Sequence, residues 1–186
     1  MARQMVAFGV APYSEVSVEA AVPTVAEVKR LADPLPDAWL TSWNTGAPAT
    51  PPPGFPDLNR PAPIRELSGD LAWVEPYLPV GISMLDQPVG SIEDRFAAVV
   101  GPHLGEIRWT SLAWPEVPDQ DFCGEYNHAE VTMLFNCDSR ELEPRTDQHT
   151  VLVHVRRRNG DGYEDRRAAW LAERIGQKVV GPPQHV

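Results

Sequence analysis

Two cysteines, Cys123 and Cys137, are all that this 186-residue chain contains. They are too few for a disulfide framework and too few to complete a zinc site unaided, so free thiols in a reducing compartment are expected. Positive charge is scarce as well. Sixteen Lys and Arg stand against 26 Asp and Glu, for a net charge of −10. That balance argues against general nucleic-acid binding, which relies on basic side chains neutralising phosphates. No apolar run is long enough to span a bilayer, and the first residues lack the basic and apolar pattern of a secretory signal. The expectation is a soluble protein of the cytoplasm, or part of a particle assembled inside the cell. Also missing are a Gly-x-Ser-x-Gly elbow, a phosphate-cradling glycine loop and a His-Glu-x-x-His pair, so no catalytic class, metal or cofactor is implied.

What the chain does have is proline and tryptophan, 20 and six residues respectively. The proline share is about twice the usual one, which disfavours long helices and favours loops and strand edges. Nine of the prolines fall between Pro34 and Pro63. The stretch 46–64 is expected to be an extended surface loop tied down by Phe55 and Leu58, or a docking arm. The charge is uneven too: residues 1–137 carry 18 acidic and 7 basic side chains, and residues 138–186 carry 8 and 9. An acidic majority suits a basic partner.

The clearest local pattern is His149 to Val180. Val151, Val153 and Val155 alternate as in a strand. Asn159 to Gly162 form a turn with Asp161 as cap, and Ala168, Leu171, Ala172 and Ile175 make a helical stripe. Gly176 ends that helix, and Gln177 to Val180 are expected to return as a short strand; if it lies parallel to the first in one sheet, the crossover should be right-handed. Upstream, strands are expected at 4–10, 16–22, 38–43, 71–74, 80–85, 106–114 and 126–136. In the sixth of these, Ile107, Trp109 and Ala113 should share a face. Helices are expected after the capping box Thr24 to Glu27 and after Ser91. The fold class is therefore α+β. One domain, 1–186, would hold a largely antiparallel mixed sheet, about three short helices packed on one face, and the Pro-rich loop.

Candidate chemistry is thin. His128 and Glu130 share a strand face, and His154 occupies the matching face of its own strand. If those strands pair, the three could serve a small metal-dependent or acid–base hydrolase. Cys123, beside Gly124 and near His128, is a candidate nucleophile. The leading expectation is instead a non-enzymatic protein-interaction module. Two forms fit: an acidic, immunity-type inhibitor of a basic partner, or a structural subunit of a larger assembly such as a virus particle, in which the partner is the chain itself. Its contact residues would come from Trp43, Phe55, Trp114, Asp119, Asp121, Arg156, Arg157 and Arg158.

Overall fold

Seven strands joined in the order β3-β2-β4-β1-β5-β6-β7 form the sheet in the computed structural model, which describes residues 1–67, 70–138, 145–156 and 162–181 apart from the side chain of Asn127. Four α-helices and three short 3₁₀ segments complete an α+β fold among the described residues. The strands are β1 (Glu15–Val22), β2 (Trp39–Ser42), β3 (Ala62–Pro63), β4 (Val80–Pro88), β5 (Gly105–Trp114), β6 (Glu125–Phe135) and β7 (Thr150–His154). The helices are α1 (Ala2–Gly9), α2 (Val25–Ala32), α3 (Glu93–Val100) and α4 (Tyr163–Arg174). β2 pairs antiparallel with both β3 and β4. No helix of the described residues is long and apolar enough to cross a membrane.

Contacts divide the chain into two compact units. One comprises Met1–Glu15, Arg108–Met133 and Val151–Val186; the other comprises Val16–Ile107 and Leu134–Thr150.

In the second unit the inner side of the sheet follows directly from alternation. Val16, Val18, Ala20 and Val22 of β1 are all buried, as are Leu40 and Ile82, which face each other across β2 and β4. The Thr24 hydroxyl accepts the Glu27 N–H and opens α2, whose Val28 and Leu31 are fully buried. At α3 the cap differs from the one expected at Ser91. The Glu93 carboxylate takes the N–H groups of Gly90 and Ile92, while Ser91 Oγ donates to the Pro88 carbonyl. Phe96 and Val100 carry the inner face, and Gly101, at φ 55°, stops the helix. Residues 71–74, expected as a strand, belong instead to a 3₁₀ segment, Leu71–Tyr77. Asp70 caps it through the Ala72 N–H, and Leu71, Val74 and Tyr77, three apart, are its buried residues. That spacing fits three residues per turn better than a strand. Within the Pro-rich stretch Leu58 is fully buried, and the Phe55 ring stacks on Trp73 at 4.8 Å.

In the first unit three expectations fail. Residues 4–10 are not a strand, because Ala2, Met5, Val6 and Gly9 bury one face of α1 at helical spacing. Ser111 sits at φ 55°, which shifts the alternation of β5. Leu112 and Trp114 are buried as a result, and Ala113 is only half-buried. Finally, residues 177–180 form no strand. The Gly176 and Gln177 N–H groups close α4 on the carbonyls of Glu173 and Ala172, a Schellman ending, and Val179 and Val180 are exposed. With no returning strand, the condition for a crossover is not met. The expected cap Asp161 lies outside the described residues; Gly162, at φ 66°, precedes α4.

Candidate functional site

Three stretches of the first unit meet around a cavity of about 180 Å³. Cys123, Gly124, Glu125, Tyr126 and His128 come from the entry to β6, Arg156 from just past the end of β7, and Tyr163 from the first turn of α4. The order of the chain explains the meeting. A short hairpin closes where Val117 and Phe122 exchange backbone hydrogen bonds, and the chain then enters β6 directly. β7 runs beside β6 and delivers Arg156 to the same end, where its N–H donates to Glu125 Oε1.

Glu125 is the unusual wall. It is 5% exposed, and its Oε2 is buried without a hydrogen-bond partner among the described residues. Burial pushes its carboxyl above the ordinary carboxylate range, opposed by the Arg156 N–H and by the charges of Arg167, His128 and Arg156. The parity of β6 accounts for the burial. Glu125 shares the strand face of Ala129 and Val131, both at 0% exposure.

Arg167 is the second surprise. Its place among the charges of α4 suggested a solvated position, yet it is 0% exposed and lies on the buried stripe with Tyr163 and Leu171. One guanidinium nitrogen donates to the Pro115 carbonyl at 2.7 Å, and the group lies 5.0 Å from the Phe122 ring centre and 5.3 Å from that of Trp170. Its Nε and Nη1 have no hydrogen-bond partner among the described residues. Burial weakens its hold on its proton, against the opposing influence of Tyr163, Glu125 and Cys123.

The residues singled out from sequence scatter around this centre. His128 lines the cavity; Glu130 and His154 do not. His154 Nε2 lies 3.3 Å from Thr132 Oγ1, four positions along β6 from His128, or roughly 13 Å at the usual strand rise. His128 and His154 therefore lie apart along β6, with Glu130 between them. Among the described residues no three His, Cys, Asp or Glu are placed to hold a metal ion. Cys123 is exposed and on the cavity wall, whereas Cys137 is buried. Asp119 and Asp121 are exposed on the hairpin turn, away from the cavity lining. Trp114 is fully buried, with its indole N–H on the His154 carbonyl, so it is a core residue with no surface to offer a partner. Arg157 and Arg158 lie outside the described residues.

A second surface feature belongs to the other unit. Trp39, Thr41 and Trp43 project from the outer side of β2, opposite Leu40. Trp39 is 42% and Trp43 38% exposed, and Leu85, on the outer side of β4, is 54% exposed. The Trp43 indole lies against Gly81, where a Cβ would come within 2.5 Å of its Nε1. Glycine there lets the ring rest against the sheet. Phe55, 39% exposed, stacks on Trp73.

Comparison of the chain with protein-family models, with curated proteins and with solved structures finds no match.

Proposed function

We propose that the protein is a non-enzymatic interaction module whose contact surface is the outer face of β2 and β4, and that its partner is a basic protein. The observation that carries this reading is the presence of Trp39, Trp43 and Leu85 in solvent on one side of two paired strands. Tryptophan supplies large, rigid contact area and is enriched at the centres of interfaces. The net charge of −10 adds long-range attraction for a basic surface, which raises association rates and makes them salt-dependent. An inhibitor of a basic protein fits both features. A subunit that packs against copies of itself fits the apolar face alone.

The test is capture of a stoichiometric partner from the native source at low and high salt, repeated with the Trp39→Ala, Trp43→Ala double variant. Loss of a hot-spot tryptophan costs about 2 kcal/mol or more, roughly thirtyfold in affinity. A single basic protein bound at low salt, released by salt and lost in the variant is the expected result. Salt-insensitive self-association abolished by the same substitutions would replace the inhibitor form with the assembly form. Capture unchanged by the substitutions would refute the surface.

A hydrolase built on His128, Glu130 and His154 would need all three at one cavity, and only His128 lines the one described.

A further inference from the structure

We infer that the partner presents to the β2–β4 face a polyproline-II segment of the form Pro-x-x-Pro with a basic residue beside it. Its prolines rest on Trp39 and Trp43, and its basic side chain points toward Asp37 and Asp86. The inference rests on the proposed interaction surface and names the chemistry that this surface takes.

The backbone of the face restricts its ligand. β2 is hydrogen-bonded to β3 on one side and to β4 on the other, so no further strand can add to it. A docked segment must lie across side chains and carry a backbone that needs no ladder. Polyproline II has no internal hydrogen bonds and is ordered before it binds, so little entropy is lost on docking. Its carbonyls are free to accept from indole N–H groups, which both tryptophans carry. Spacing agrees. Trp39 and Trp43 are four positions apart, roughly 13 Å at the usual strand rise. The Trp43 ring, however, lies back against Gly81, which pairs with Thr41, two positions from Trp39, or roughly 7 Å. The polyproline repeat of three residues, about 9 Å, falls between those bounds. Prolines at the first and fourth positions therefore reach one ring each. The floor between the rings is made of small residues, Thr41, Gly81 and Ser83, which leaves a shallow trough.

Charge sets the flank. β2 and β4 run antiparallel with Trp39 opposite Ser83, so residues before Trp39 meet residues after Ser83 at one end of the face. Asp37 and Asp86, both exposed, fall at that end, and Asp37 lies 3.9 Å from Arg65. A Lys or Arg beside the prolines gains from both carboxylates. The chain's own arm has the proline spacing, in Pro48-Ala-Thr-Pro51 and Pro53-Gly-Phe-Pro56, but no basic residue next to either pair. It is also engaged elsewhere: the Asn59 side chain donates to the Pro48 carbonyl, and Phe55 stacks on Trp73. The arm of a second copy is the competing occupant.

The test titrates the isotope-labelled full chain, at constant ionic strength, with the end-blocked peptide Arg-Ala-Pro-Pro-Ala-Pro-Pro-Ala-Arg and follows the indole N–H signals by NMR. Those of Trp39 and Trp43, assigned by their loss in Trp39→Phe and Trp43→Phe, should move while the signals of the other tryptophans stay. Replacing the prolines by alanine, with the charge kept, should weaken binding by about tenfold or more, since the preformed backbone is lost. Replacing the arginines by glutamine should weaken it about two- to fivefold, as loss of an exposed ion pair does. Asp86→Asn should act in the same direction with the fold intact, because asparagine tolerates the left-handed backbone of that position. Stationary Trp39 and Trp43 signals, or equal affinity for the alanine peptide, would overturn the inference. Tighter binding of a peptide spanning residues 47–57 of this chain would give the face to a second copy's arm and overturn it as well. Capture from the native source that still depends on Trp39 and Trp43 would then leave the surface standing, so the two failures are separable.

Discussion

The two units bury ionisable groups in different settings. In the second unit His103 is 6% exposed, with Nε2 3.2 Å from the Glu27 carboxylate, though not aligned for a hydrogen bond. Its carbonyl and that of Gly101 are held by the Asn136 side chain, at 2.6 and 2.9 Å. Arg30, from α2, donates to the Val99 carbonyl at the end of α3. Polar groups there tie helix ends and loops together. In the first unit Glu125 and Arg167 are buried as deeply, and among the described residues both units keep buried polar atoms without a hydrogen-bond partner: His103 Nε2 and Tyr77 OH in the second, Glu125 Oε2 and Arg167 Nε and Nη1 in the first. The contrast is in the groups themselves: a carboxylate of β6 and a guanidinium of α4 are sunk in the first unit, an imidazole beside a carboxylate in the second.

Arg167 offers the sharpest break of that contrast. Arg167→Ala should destabilise the protein by about 3–5 kcal/mol, because it removes a buried cation, strands the Pro115 carbonyl and leaves Glu125 without its balancing charge. Arg174→Ala, which removes only an exposed guanidinium 4.7 Å above Trp170, should cost about 0.5–1 kcal/mol. Chemical denaturation of both variants measures the difference, and equal losses would mean that Arg167 behaves as a surface residue.

Two glycines extend the comparison to packing. A Cβ at Gly9 would collide with the Trp114 ring, which is fully buried and cannot move aside. Gly9→Ala should therefore cost about 1–3 kcal/mol, as overpacking does. At Gly81 the obstructing ring is the half-exposed Trp43, which can swing into solvent. Gly81→Ala should cost under about 1 kcal/mol while increasing the accessibility of Trp43 to a fluorescence quencher. A larger loss at Gly81 than at Gly9 would reverse the assignment of rigid core and adjustable surface.

The smallest effects concern pH, and their signs differ. Burial holds the His103 imidazole below its ordinary range, partly offset by Glu27 and reinforced by Arg30 and Arg145. Because its folded value is depressed, its stabilising contribution is present above the ordinary histidine range and lost as pH falls below it. The Glu125 carboxyl is raised, so its contribution is complete in acid, below the ordinary carboxylate range, and lost as pH rises through the folded value. His103→Gln should flatten the loss of stability on the acid side of neutrality. Glu125→Gln should flatten the opposing slope. Urea titrations across the range from mild acid to neutrality read both, and identical slopes in the two variants would contradict the assigned causes.

Local chemistry made part of this fold legible. β1, β2, β4, β5, β6 and β7 lie near the stretches that alternation marked, and α2 begins at the Thr24 cap. The places where reading failed share a cause. At α1, Val6, Phe8 and Val10 alternate like a strand, and only a neighbouring surface for Ala2, Met5, Val6 and Gly9 selects the helix. At Ser111 a single residue with positive φ inverts which side of β5 is buried, and nothing in a Trp-Thr-Ser-Leu-Ala-Trp stretch announces it. The cavity was half visible. His128 and Cys123 stand out as chemical side chains, while nothing singles out Glu125, and Arg167 reads as one of the charges of α4. Both had a signal: each occupies an apolar face, Glu125 by the period of two with Ala129 and Val131, Arg167 by the period of four with Tyr163 and Leu171.

Sequence alone determined what depends on neighbours along the chain: strand alternation, the Thr24 cap, the glycine that ends α4, the acidic balance. Tertiary structure alone decided what depends on neighbours far apart in the chain. It buried Arg167 beneath Pro115 and Phe122, brought the Arg156 N–H onto Glu125, sank Trp114 and left Trp39 and Trp43 in water. Charge and hydrophobicity are properties of a residue, but desolvation is a property of the place to which the fold delivers it.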